Sequence, residues 1–195
     1  MQGPNLKFAD VVRAADKFLR TYHSSLNLPI PIEEIVEHKM GIAVFAVPGI
    51  KSLIGVDAFI SSDFTQITVD EIYFVRFPER TRFSIAHEVG HLVLHKEWYK
   101  KYGPKNFDDY LASHDRMDSQ IYKYIEIQAH TFAGLVLVPK ILLLNELKKR
   151  LGRIPSLESP EILALVTQDL PEVFKVSDAV ILRRLQKENI VKSNF

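Results

Sequence analysis

Two histidines four residues apart, with a glutamate beside the first, are the residues of this chain best suited to chemistry: His87-Glu88-Val89-Gly90-His91. On a helix, positions four apart share a face one turn apart, so both imidazoles can reach a single cation. Zinc takes neutral imidazole nitrogens at about 2.0–2.1 Å, and this spacing suits that bite. Glu88 stands one step from His87 and points aside from the pair. Its carboxylate is then free to handle a water molecule, as the general base of a metal-assisted hydrolysis. His95 extends the series by another turn. His87 and His95 are separated by about 12 Å of helix rise, so all three cannot hold one ion. Only the pair 87/91 has a carboxylate next to its leading histidine, which leaves His95 a supporting or structural role. The competing reading is an amphipathic helix whose histidines merely hydrogen-bond. The apolar setting, FSIAHEVGHLVLH, is the one the mechanism needs.

A catalytic zinc usually has three protein ligands and one open position, so a third ligand must come from elsewhere. Downstream candidates are His114, Asp115, Asp118, Glu126 and His130. Glu126 stands out because it lies on an otherwise apolar helical run, IYKYIEIQAHTFAGLVLVP. A carboxylate facing a core is costly unless something compensates it, and a metal would. His130, one turn further on, shares that face. It either replaces Glu126 at the metal or orients a ligand from behind. For the oxyanion that a peptidase must stabilise, Tyr73, His95, His114 and Tyr124 are candidates that the sequence does not rank.

The elements that must position these residues follow from periodicity. Leu6, Val11, Ala14, Phe18 and Tyr22 fall at helical spacing over 6–22. Pro29 to Pro31 end that segment, and a short helix over 32–39 closes before Gly41. Strand-like runs at 42–47, 54–60 and 65–70, separated by Pro48-Gly49 and Ser61-Ser62-Asp63, predict an antiparallel meander. Either of the last two strands could hold an extended substrate by strand addition. Pro78 and Glu79 then suit the first turn of a helix running to about His95. Residues 96–118 read as an irregular polar and aromatic segment, either a rim over the site or a plain surface loop. Helices are predicted over 119–137, over 140–151, from about Pro160, and after Ser177 as N-cap. The expectation is one α+β domain over 1–195. It comprises N-terminal helices (1–40), a sheet and active-site helix (41–95), the third-ligand helix and its successor (119–151), and a helix-turn-helix-like element (160–188).

Composition narrows the partners. The 195 residues are 47% hydrophobic and 25% charged, with net charge +1 and no cysteine. The balanced charge gives no overall drive toward nucleic acid. The lack of cysteine removes disulfides, thiolate ligands and a thiol nucleophile together. No window is long and apolar enough to cross a bilayer, and no signal peptide is read at the start. A cytoplasmic location is expected; the oligomeric state is not legible.

The segments RTRFSIAHEVGHLVLH (80–95) and YIEIQAHTFAGLVLVP (124–139) together resemble the ImmA/IrrE family of metallopeptidases. The resemblance extends to GVDAFISSDFTQITVD before the active helix and LPEVFKVSDAVILRRLQ at the end, so it covers about 30 to 187. It implies His87, His91 and Glu126 as zinc ligands, Glu88 as catalytic base, and a zincin-like α+β fold. In that fold a small antiparallel sheet packs on the active-site helix and the C-terminal half is mostly helical. Two positions depart from the family pattern. His130 stands where Asn or Asp is usual, and Leu137-Val138-Pro139 replaces Leu-Met-Pro. The resemblance further implies site-specific cleavage of a helix-turn-helix repressor. Two rivals remain at this point. One is a DNA-binding regulator using Lys175, Arg183, Arg184 and Lys187. The other is a binding module that keeps its zinc but cleaves little.

Overall fold

The computed structural model describes residues 6–152 and 165–190. Helix α1 (Phe8–Tyr22) buries Val11 and Phe18 of the expected stripe together with Ala15 and Leu19, while Ala14 and Tyr22 are half-buried and Leu6 precedes the helix. Helix α2 (Ile32–Glu34) runs on as a π-helical turn over Ile35–Lys39. Gly41 then takes a left-handed conformation, which glycine adopts without steric cost.

The sheet differs from the predicted meander. Strand β1 (Ala43–Val47) leads into a short helix, α3 (Ile50–Ile54), which ends at the first residue of the expected second strand. Strand β2 is only Ala58–Ile60, and β3 is Gln66–Asp70. The order is β1-β3-β2, with β1 parallel to β3 and β2 antiparallel to it. The sheet is thus mixed. Parallel pairing needs a long crossover, and residues 48–65 supply one. Asp70 locks this arrangement. Its Oδ1 accepts from the Ile72 and Tyr73 amides to cap helix α4 (Glu71–Arg76), and its Oδ2 accepts from the Lys51 amide of α3.

Helix α5 (Pro78–Tyr102) starts at the predicted proline but does not stop at His95. His95 has non-helical dihedrals (φ −125°, ψ 17°), and the helix resumes beyond this kink. Residues 96–102 are therefore helical, with Trp98 and Tyr99 buried, and a further short helix, α6, spans Tyr110–Asp115. Helix α7 (Ser119–Leu137) has the predicted bounds. Asp118 caps it, accepting from the Gln120 and Ile121 amides. Pro139 separates it from α8 (Lys140–Leu151). The C-terminal pair is α9 (Leu170–Phe174) and α10 (Asp178–Lys187). The expected helix start near Pro160 lies outside the described residues. Ser177 holds the N-cap position of α10, without a side-chain cap bond.

Two arginines tie these layers together. Arg82 of α5 pairs with Glu33 at 2.7 Å and donates to the Lys175 carbonyl. Arg184 of α10 is buried, donates to the Val138 carbonyl at 3.0 Å and pairs with Glu188 at 2.7 Å. Val180, Ile181 and Leu185 are buried beside it. Among the described residues, no single helix is long and apolar enough to cross a membrane.

Helices α5 and α7 meet backbone to backbone. A Cβ built on Gly90 would stand 3.0 Å from the Ala129 Cα and 3.1 Å from its carbonyl oxygen. Replacing glycine by alanine inside a helix normally gains up to about 1 kcal/mol in propensity. Overpacking against stiff backbone costs more, about 1–3 kcal/mol, and a branched residue fits worst. Gly90→Val is therefore expected to lower Tm by about 3 to 10 °C, read by thermal unfolding. An unchanged Tm would show that the two helices are free to separate.

Candidate metal centre

The close contact at Gly90 and Ala129 presents one face of α5 to one face of α7. His87 and His91 project from the first, and Glu126 from the second. His87 Nε2 lies 3.1 Å from Glu126 Oε2, and His91 Nε2 lies 3.1 Å from Glu126 Oε1. The two Nε2 atoms are also 3.1 Å apart. Ligands at 2.0–2.1 Å from a tetrahedral zinc sit about 3.3 Å from one another, so this triangle has the dimensions of three zinc ligands.

The protonation of the rings makes the same point. Gln128 donates its amide N–H to the Leu6 carbonyl at 2.9 Å, which turns its Oε1 toward His95. His95 Nε2 lies 2.8 Å from that oxygen and must donate. The other ring nitrogen, Nδ1, is then an acceptor, 3.3 Å from His91 Nδ1, which carries the proton. That leaves Nε2 as the His91 atom aimed at His87 and the Glu126 carboxylate. A cation bound there takes the place of the proton that the two imidazoles otherwise share with the carboxylate. His95, held neutral chiefly by burial and by His91, has its pKa pushed down to about 3. It therefore sits behind His91 and orients it, a common partner for a metal-binding imidazole.

The two carboxylates of the site have opposite environments. Glu88 is buried, and burial raises its pKa against the pull of His91 and His87. Its Oε2 accepts from the Ile60 amide of β2 at 2.9 Å. Its carboxylate also lies within 4.8 Å of the His87 and His91 ligand atoms. Burial pushes Glu126 the same way, but hydrogen bonds and charge from His87 and His91 outweigh it and hold that carboxyl far below the usual range. The same pairing raises the His87 pKa despite burial.

Other candidates stand elsewhere. His130 shares the Glu126 face, but its Nε2 accepts from Arg183, and its ring centre is 6.3 Å from that of His87. Burial, with His87 and Arg183, brings its pKa down to about 4. Asp118 caps α7, and Asp115 is exposed at the end of α6. The side chain of His114 lies outside the described residues.

Of the oxyanion candidates, Tyr73 stacks on Phe77 under Arg80, Tyr124 donates to the Leu6 carbonyl, and His95 is behind His91. None of these three lines the cleft of about 380 Å³ over the site. The hydroxyls that do are those of Ser84, Tyr99, Tyr110 and Tyr122. Tyr99 stacks on His91 at 4.8 Å, and burial drives its pKa up. The sequence held one usable signal for them: Tyr122 stands one turn before Glu126.

An α+β architecture with this helix pair is that of a zincin-like protein. The chain belongs to the Peptidase_M78 family, the IrrE N-terminal-like domain, whose family model matches residues 77–186. That is a family of metal-dependent peptidases. Among solved structures, a Mycobacterium tuberculosis transcriptional regulator is similar over 91% of this chain, with TM-score 0.54 and 18% identity. At that identity the likeness is one of fold. This chain spans 46% of that protein's length. No curated protein matches the chain significantly.

Removing the Gln128 acceptor tests the tautomer chain without touching a ligand atom. Gln128→Leu should weaken zinc binding about 10-fold to 100-fold, measured by competition with a chromogenic chelator. Zinc affinity equal to the parent's would mean that His95 does not orient His91.

Proposed function

We propose that this protein is a zinc-dependent endopeptidase acting as one metallopeptidase domain, with His87, His91 and Glu126 as ligands and Glu88 as general base. The observation that carries this reading is the convergence of two imidazole nitrogens and a carboxylate at 3.1 Å, with a buried carboxylate beside them. When bound, zinc supplies a water of lowered pKa and polarises the scissile carbonyl.

The remaining work falls to the chain. The Ile60 amide holds Glu88 Oε2, leaving Oε1 without a protein partner among the described residues. That oxygen takes the proton from the attacking water and later delivers it to the leaving amine. Burial raises the Glu88 pKa, which strengthens it as a base.

Strand β2 is a sheet edge, and Ala58 and Phe59 line the cleft. Because Ile60 turns its amide away from β3, Ala58 presents its own N–H and carbonyl on the same outer edge. An extended substrate pairs there by strand addition. A tyrosine hydroxyl of the cleft, from Tyr99, Tyr110 or Tyr122, donates to the developing oxyanion. The family resemblance supports a helix-turn-helix repressor as substrate, in the cytoplasm. Burial of Arg184 and its ion pair with Glu188 speak against using α10 to read DNA.

The test is Glu88→Gln in zinc-loaded protein, incubated with a small helix-turn-helix repressor encoded beside its gene. The variant should keep one zinc and lose cleavage by about 10²-fold to 10⁴-fold, followed by mass spectrometry of the repressor. Cleavage by the variant at the parent's rate overturns the base assignment. A parent that binds the repressor and zinc without cutting is a binding module.

A further inference from the structure

A second cavity, of about 360 Å³, opens beside the metal cleft between α5, α7 and α10. Phe83 and His130 line both spaces, so they are neighbouring compartments of one groove. Its charged lining is all positive: Arg183, Arg184 and Lys187, with no Asp or Glu among the described residues.

These cations are not equivalent. Arg184 is neutralised by Glu188 and by the Val138 carbonyl. Among the described residues Arg183 has no carboxylate partner; its guanidinium donates to His130 Nε2, a neutral acceptor. Lys187 has none among them either, and its ammonium lies 5.6 Å from the centre of the Phe8 ring. The two stand one turn apart on the exposed face of α10, where like charges repel.

Elsewhere around the cleft both cations have a carboxylate partner, which they share. Asp57 pairs with Lys51 at 3.0 Å and with Arg80. The cations that line the groove without a carboxylate partner among the described residues, Arg183 and Lys187, therefore both stand in this compartment, beside His87. A guanidinium is the group best shaped to take a carboxylate through two parallel hydrogen bonds. Gly134 contributes no side chain to the wall, and Val180 gives an apolar surface for a methylene stem.

We infer that this cavity is a substrate subsite for an acidic side chain, with Arg183 and Lys187 as its specificity-determining residues. The inference rests on the peptidase reading above. The substrate is then a protein segment carrying Asp or Glu at one fixed distance from the scissile bond. Its carboxylate displaces His130 from Arg183 and lies between the two cations, relieving their mutual repulsion.

The test profiles cleavage of a proteome-derived peptide library by the zinc-loaded parent, with Glu88→Gln protein as blank. One position should be enriched in Asp and Glu. For a matched Glu/Gln peptide pair at that position, kcat/KM should differ by about tenfold. R183Q/K187Q should bring that ratio close to one, and R183E/K187E should invert it in favour of Lys. Both positions are exposed, so these variants leave the core intact. Absence of an acidic preference in the parent, or its persistence in R183Q/K187Q, overturns the subsite.

If the parent cleaves no peptide, the peptidase reading falls by itself. Capture of the same library on immobilised zinc-loaded protein then decides the subsite. Acidic peptides retained by the parent and lost from R183Q/K187Q uphold it; equal retention overturns it.

Discussion

Everything at the metal centre depends on how closely two helices approach. Gly90 and Ala129 let the backbones of α5 and α7 come within the reach of a single methyl group. At that spacing, side chains of ordinary length from opposite helices end 3.1 Å apart. A larger residue at either position would push Glu126 away from both imidazoles at once. The HExxH segment is thus two devices in one. Its first, second and fifth positions carry the proposed chemistry, and its fourth sets the distance between the two helices that bring those side chains together.

Glu88 and Glu126 show how environment divides labour between identical groups. Both are carboxylates flanked by the same two histidines. One accepts a backbone amide and is dominated by burial, which favours its protonated form. The other faces the imidazoles directly and stays ionised. An acid-base group needs the first environment and a cation ligand needs the second. The fold supplies both by placing one residue on each side of the ligand pair.

Much of this was legible in the sequence, for local reasons. A four-residue repeat of histidine on an apolar helix, and a lone glutamate on a second such helix, are features of one element each. The bounds of α7 are marked by Asp118 before it and Pro139 after it. What could not be read is what depends on distant partners. Pairing β1 with β3 in parallel is a non-local choice, and a segment as short as Ile50–Ile54 has too few residues for its period to be read. The helical continuation past His95 was hidden because its buried face is made of Trp98 and Tyr99 in a lysine-rich stretch. The position of His130 was ambiguous for the same reason, since it is Arg183, 53 residues further on, that claims its ring nitrogen.

The Leu6 carbonyl receives both Tyr124 and Gln128, and through Gln128 it reaches His95 and then His91. Thermodynamic reciprocity attaches to such a chain of bonds. An ion that favours one tautomer of His91 also favours the seat of residue 6, and whatever grips the chain at residue 6 tightens the hold on the ion by an equal factor. The start of helix α1 and the reaction centre are therefore two ends of a single equilibrium.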